Sequence, residues 1–282
     1  MSEHTGEQTG GQTGAQTGER RITGRTKVFL LLADPVAHVV GTAVINGHFA
    51  GAGIDFAAVP AHVTAADLPT MLAAARIMRN VVGLGITIPH KIAILPLLDA
   101  VGERGRAVGA VNFVRRETDG RLVGDNIDGV GFVAGLTRRG IEVAGKRVLQ
   151  AGAGGVGRAI AFALAEAGAA ELVIVNRDAA KGAALAAAVS AAFPACRARA
   201  EAAGDATAAD IVVNATALGM KPGDALPLDL AGIGTDAVVA EVVMTPAVTP
   251  ILAEAARHGC RTVPGRAMLD EQMVLLQAFL GL

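Results

Sequence analysis

The chain predicts an α/β fold in two domains, and three observations carry that reading. Strand-like and helix-like segments alternate from Lys27 to the C-terminus. A glycine-rich turn at 152–157 follows one strand-like segment and opens a helix-like one, within a second series of such units. The length, 282 residues, suits one large or two ordinary domains at roughly 100 to 200 residues each. With 52% hydrophobic and 18% charged residues, the composition is that of a folded globular protein.

The start is different. Thr5 to Gly18 repeats a T-G-x-Q-like unit that has almost nothing to bury, so Met1 to about Gly24 reads as a disordered low-complexity tail. Lys27 to Ala33 is a continuous apolar run suited to a strand covered on both faces, ended by Asp34-Pro35. A helix is expected from about Val39 to Gly51, a strand over Phe56 to Val59, and a helix over Ala65 to Ile77 behind a Thr64 cap. Strand Val81 to Ile86 and a short helix opened by Pro89 come next. Ala110 to Arg115 and Arg121 to Val123 flank Thr118-Asp119-Gly120 as a hairpin. The second series runs through strand 147–151, helix 155–167, strand 171–176, helix 179–192 and strands 210–214 and 237–242. Helix 248–258, a short strand near Thr262 and helix 268–280 complete it, which implies a parallel, doubly wound sheet.

Composition removes several functions. There is no Trp, no Tyr and only 8 Phe, which leaves little on which to stack bases. A formal net charge of −1 gives no basic field for a phosphate backbone, so nucleic acid is not an expected partner. Charged residues such as Arg158, Glu166 and Glu171 cut the long apolar stretch from Val148, and the N-terminus lacks a signal-peptide core. A soluble cytoplasmic protein without a membrane partner is expected. Cys196 and Cys260 are too few for a disulfide framework or a metal cage, so no metal is expected.

The most legible motif is Gly152-Ala153-Gly154-Gly155-Val156-Gly157, a G-x-G-x-x-G pattern in its required strand-turn-helix context. Gly152 allows the tight turn, Gly154 lets the backbone approach a pyrophosphate, and Gly157 allows close helix-to-strand packing. Free N–H groups at the helix start then face an anion. This marks the second half as a Rossmann dinucleotide-binding domain. Cofactor choice is read at the end of the next strand, where Asn176-Arg177-Asp178 stands with Lys181 one turn on. Arg177 and Lys181 make a phosphate clamp and Asp178 would repel a phosphate, so the balance favours NADP, with NAD close behind. Thr87-Ile88-Pro89-His90-Lys91 and Gly124-Asp125-Asn126-Ile127-Asp128-Gly129 both sit at strand ends facing the cleft, where open α/β sheets bind ligands. His90 reads as a packed or capping residue rather than a base.

These residues resemble the shikimate/quinate dehydrogenase family over nearly all of the chain from Lys27. Seven landmarks occur in family order: Asp34 to His38, Thr87 to Lys91, Gly109 to Asn112, Asn126 to Asp128, the glycine loop, Asn214 to Met220, and Met268-Leu269 with Gln272. The resemblance implies a substrate domain over residues 25–127, a dinucleotide domain over 128–265 and a last helix, 266–282, packing back on the first. It also implies reversible oxidation of a ring secondary alcohol, with hydride passing to a nicotinamide. Lys91 matches the family's catalytic lysine and Asp128 its partner carboxylate, and such a pair can take the proton an alcohol loses as hydride leaves. Thr87, Asn112, Asn126 and Gln272 match residues around the substrate hydroxyls. Thr216, Met220 and Gly265, with Gly155 and Val156 of the loop, fall where the family's chain passes the cofactor. A monomer or homodimer acting on a small molecule is expected.

The departures bear on the substrate. Shikimate users of the family carry Ser-x-Ser-Pro after the His that aligns with His38, where this chain has Val39-Val40-Gly41-Thr42. The family's Asn two residues before Thr87 is Gly85, and its Tyr in the D-x-x-Y-x-P-like segment is Met244. Both serines and the tyrosine hold the substrate carboxylate in those relatives. Hydrogen bonds to a charged group contribute roughly 1.5–3 kcal/mol each, so their joint loss removes orders of magnitude in capture. The expected substrate is therefore a cyclic polyol, or a related compound whose acid group is absent, modified or held differently. Two alternatives are an ordinary NADP-dependent shikimate dehydrogenase with a rebuilt carboxylate site and a non-catalytic NAD(P)-binding sensor. Retention of both Lys91 and Asp128 speaks against the sensor.

Overall fold

The computed structural model describes residues 22–37 and 39–282. The low-complexity repeat lies outside them, as does His38. Twelve strands among these residues form two six-stranded sheets.

In the first sheet the order is β2-β1-β3-β5-β6-β4. It comprises β1 (Lys27–Ala33), β2 (Phe56–His62), β3 (Val81–Ile86), β4 (Ala100–Val101), β5 (Phe113–Arg116) and β6 (Leu122–Asp125). β2, β1 and β3 are parallel, while β5 joins β3 and β6 antiparallel, so this sheet is mixed. β2 runs on through Pro60 past the expected end because it is the edge strand, where a missing N–H removes no ladder bond. The expected hairpin closes at Gly120, whose φ of +91° lets the chain turn against the Arg76 carbonyl. α1 (Gly41–Gly51), α2 (Leu68–Ile77), α3 (His90–Ala93) and α4 (Glu103–Val108) flank the sheet. α1 starts two residues later than its apolar pattern implied.

In the second sheet the order is β12-β11-β10-β7-β8-β9, all parallel. The strands are β7 (Arg147–Ala151), β8 (Glu171–Val175), β9 (Arg197–Glu201), β10 (Ile211–Asn214), β11 (Val238–Glu241) and β12 (Arg261–Val263). Chain order reverses between β7 and β10, the switch point at which doubly wound sheets bind ligands. α6 (Gly155–Glu166), α7 (Ala179–Ala192) and α8 (Pro250–Arg257) connect these strands. β9 carries no apolar run and escaped the sequence reading; its charged side chains suit an exposed sheet edge.

Two more helices join the halves. α5 (Asp128–Thr137) packs on α6 and on α9 (Arg266–Leu280). Its sequence, DGVGFVAGLT, gives a poor helical signal because glycine weakens helices by roughly 1 kcal/mol each relative to alanine. The structure supplies the reason for them: a Cβ at Gly129 would stand 2.0 Å from the Ala159 carbonyl oxygen of α6, and one at Gly135 would stand 2.9 Å from the Ala267 carbonyl oxygen of α9. α9 covers the first sheet, burying Leu269, Met273, Leu276 and Leu280 with Phe29, Phe49, Phe56 and Phe113. No helix among the described residues is long and apolar enough to cross a membrane.

Candidate active site

The ends of β3, β6 and β7 meet at the junction of the two sheets. β3 continues into Thr87, whose N–H donates to the Leu32 carbonyl, and the chain turns into α3 with Lys91 in its first turn. β6 ends at Asp125, and Asp128 opens α5. Lys91 Nζ donates to Asp128 Oδ2, with the two side chains only 13% and 5% exposed. The other carboxylate oxygen, Oδ1, accepts from Asn112 Nδ2 at 2.9 Å and from Gln272 Nε2 at 3.1 Å. Asp128 is thereby held from three elements, and α9 reaches the cluster across 144 residues of sequence.

Asn126 stands behind this group. Its Oδ1 accepts the Asp128 backbone N–H at 3.0 Å and its Nδ2 donates to the Ala110 carbonyl at 3.1 Å, so its amide shapes the turn into α5. Asn112 Oδ1 likewise accepts the Ile127 N–H at 3.0 Å. Thr87 is half-buried at the end of β3. His90 is fully buried with Nε2 at 2.7 Å from the Val63 carbonyl oxygen, a packed residue facing away from the Lys91 cluster.

The glycine loop comes to the same place from the second sheet. A Cβ on Gly155 would lie 3.8 Å from Lys91 Cδ, so the start of α6 abuts the lysine stem. Gly152 turns with φ of +105°, and any side chain there would strike the Ala215 carbonyl oxygen at 2.7 Å. Gly157 lies against the Gly152 carbonyl, at 2.4 Å from a Cβ. Gly154 is the reverse: it is exposed, has nothing within 4 Å of its Cβ position and gives α6 no side-chain cap. The first turn of this twelve-residue helix, which includes Val156, is left without a side-chain cap beside the open space at Gly154, and the loop fits a dinucleotide pyrophosphate.

Gln150 was missed by the sequence reading. It is fully buried, and its Nε2 donates to the Gly152 and Gly157 carbonyls at 2.8 and 2.9 Å, bracing the loop. A polar residue inside the otherwise apolar run Val148 to Ala151 was the signal that could have found it. Asn176 braces the loop from β8, accepting from the Ala153 N–H at 3.0 Å. Arg177 is exposed beside it. Asp178 caps α7: the Lys181 backbone N–H donates to it at 3.2 Å and Lys181 Nζ lies 3.6 Å away, and this bond and charge hold its carboxyl below the usual range. Lys181 thus lies beside Asp178 on the exposed start of α7, next to Arg177.

Thr216 and Met220 lie on the loop after β10. Asn214 Oδ1 accepts from the Thr216 N–H and hydroxyl at 3.0 and 2.7 Å, while Met220 is 44% exposed. Behind them Glu241, at the end of β11, accepts from the Thr249 hydroxyl at 2.9 Å and from Asn214 Nδ2 at 3.4 Å; burial pushes its carboxyl up to about 7. Gly265 sits where a Cβ would strike the Val243 carbonyl oxygen at 2.4 Å, letting the chain enter α9 tightly against the β11 exit. Among the described residues no group of His, Cys, Asp or Glu is placed to hold a metal.

A parallel sheet with a bracing network around a glycine loop, set against a mixed α/β domain with a buried Lys–carboxylate pair, defines a two-domain oxidoreductase of the Rossmann type. Residues 31–114 match the family model for the shikimate dehydrogenase substrate binding domain, and residues 136–220 match that for shikimate / quinate 5-dehydrogenase. The chain belongs to the shikimate/quinate dehydrogenase family. The shikimate dehydrogenase (NADP(+)) of Geobacter sulfurreducens is 41% identical over 261 residues, 89% of each chain. A ligand-free 5-ketofructose reductase of Gluconobacter sp. strain CHM43 is 37% identical with a TM-score of 0.83, over 92% of this chain and 95% of that one. A shikimate dehydrogenase in complex with NADP+ is 31% identical with a TM-score of 0.86, over 93% of this chain and 92% of that one.

Proposed function

We propose that this oxidoreductase interconverts a secondary alcohol and a ketone on a polyhydroxylated, uncharged, ring-forming substrate, using NADP, and that shikimate is not its preferred substrate. The observation that carries the reading is the pairing of an intact Lys91–Asp128 cluster with Val39, Gly41 and Met244 at the three positions where shikimate users of the family hold the substrate acid. The cofactor supplies or accepts the hydride. Lys91 and Asp128 act as the acid-base pair, taking the hydroxyl proton during oxidation and returning it to the carbonyl oxygen during reduction. Asn112 and Gln272 keep Asp128 oriented with Oδ2 toward Lys91 and with Thr87 frame the substrate hydroxyls, whereas Asn126, expected beside them, engages its amide with the Ala110 carbonyl and the Asp128 N–H and positions Asp128 instead. Exclusion of water by the junction keeps these dipoles effective.

Arg177 binds the 2′-phosphate of NADP. Its acidic neighbour Asp178 is neutralised locally by Lys181, which weakens the repulsion an acid would exert there. The Geobacter relative, an NADP(+) shikimate dehydrogenase, and the Gluconobacter 5-ketofructose reductase, whose substrate bears no carboxylate, support these two choices. The protein acts on its small molecule in the cytoplasm, as a monomer or homodimer.

Steady-state kinetics test this reading with shikimate, quinate, myo-inositol and 5-ketofructose against NADP(H) and NAD(H). An uncharged substrate should be preferred over shikimate by at least about 100-fold. Shikimate turnover above about 10⁴ M⁻¹s⁻¹ would overturn it. That result would favour the second reading, a shikimate dehydrogenase with a rebuilt carboxylate site, which the 41% identity to an enzyme of that name supports.

A further inference from the structure

We propose that Leu31 is a specificity-determining residue: its isobutyl group fills the space between Gly41 and Gly85 and makes an apolar floor that excludes an anionic substituent. The inference rests on the reading of the site given above and adds the residue that enforces it. Leu31 lies on β1 in register with Gly85 on β3 and is 8% exposed. A Cβ at Gly85 would meet Leu31 Cδ1 at 2.3 Å and Phe29 Cε1 at 3.0 Å, so a side chain at 85 requires Leu31 to leave its present rotamer. A Cβ at Gly41, the first residue of α1, would meet Leu31 Cδ2 at 3.6 Å, an ordinary contact. One leucine thus spans the gap between two glycines on different elements.

This floor belongs to the substrate side of the sheet. Side chains alternate along a strand, so position 85 shares a face with Thr87. On the same side Phe29 packs with Met273, Leu276 and Leu280 of α9, the helix that also delivers Gln272 to Asp128. A carboxylate pressed on two leucine methyls loses water and meets no donor, which is costly; a C–H loses little, and a hydroxyl loses far less than a charge. Leu31 and Gly85 are tightly coupled by this packing, whereas Gly41 is not constrained by Leu31. Leucine at 31 in this rotamer occupies the space of a side chain at 85, and glycine at 41 leaves no hydroxyl to project toward the same space.

The experiment compares the wild-type chain with Gly41→Ser, Leu31→Val, and Leu31→Ala combined with Gly41→Ser. For each, kcat/KM is measured for shikimate oxidation and 5-ketofructose reduction, and Kd for shikimate is measured in the presence of NADP+. The double variant should gain about tenfold or more in the ratio of shikimate to 5-ketofructose use, with a matching gain in shikimate affinity. Gly41→Ser has room without displacement and Leu31→Val removes a single methylene, so both keep the comparison open if Leu31→Ala unfolds the domain. General structural damage lowers both substrates together and leaves the ratio unchanged. Folded variants whose ratio and shikimate affinity stay within about threefold of wild type would overturn the assignment of Leu31. Failure of the functional reading shows separately, as efficient shikimate turnover by the wild-type chain.

Discussion

Among the described residues, Lys91 and Asp128 form the one ion pair whose two side chains are both more than four-fifths buried. Burying a charged pair costs several kcal/mol of hydration per ion, which geometry only partly repays, so such a pair is a poor device for stability. It is a good device for moving a proton. Lys91→Ala should lower kcat by about 10²–10⁴-fold, the usual contribution of a positioned acid-base group. The Gln150 and Asn176 braces of the glycine loop do not involve Lys91, whose stem only abuts Gly155, so the dissociation constant for NADPH, measured by titration calorimetry, should stay within about threefold. Equal loss of binding and turnover would instead make Lys91 a structural strut of the junction.

At the scale of elements, the loop after β10 is held by a network that contains a titrating group. Glu241 is 1% exposed and binds Thr249 and Asn214, and Asn214 in turn fixes Thr216 and the Leu218 carbonyl. Burial raises the Glu241 carboxyl from 4.5 to about 7. The folded chain therefore holds this proton more tightly than the unfolded chain does. The resulting stability is fully present below pH 4.5 and is lost as pH rises through about 7. Glu241→Gln should remove a decline on the order of 2–3 kcal/mol between pH 5 and 8. Urea unfolding followed by far-UV circular dichroism at several pH values reads this directly, in a chain with no Trp or Tyr to report by fluorescence. Parallel pH curves for the two proteins would refute it.

For the whole molecule, α9 and α5 decide whether two sheets make one site. α9 buries Leu276 completely against the phenylalanine cluster of the first sheet, and α5 lies between α9 and α6. Leu276→Ala should cost about 2–5 kcal/mol in denaturant unfolding, because the surrounding rings collapse only partly on the space left. It should also raise KM more than it lowers affinity for NADPH, since Gln272 rides on the same helix and the glycine loop does not. A stability loss below about 1 kcal/mol would mean that α9 is not a main support of the first domain.

Much of this protein was determined locally. Continuous apolar runs such as Lys27 to Ala33, the glycine loop with its helix, and the Thr-Ile-Pro-His-Lys turn each carry their structure in adjacent residues, so the two-domain α/β class and most of the strands were legible without coordinates, while the short β4 and the charged β9 were not. The glycine-rich helix α5 was not, because its glycines answer to backbones of α6 and α9 that lie far away in sequence. The partnership of Asp178 with Lys181 was likewise decided by the geometry of a helix start, not by composition. The absence of Val39, Gly41 and Gly85 side-chain donors could be read from the letters alone. That Leu31 lies against both Gly41 and Gly85 could not, since a leucine in an apolar strand looks like any other core residue until β1 and β3 are set side by side.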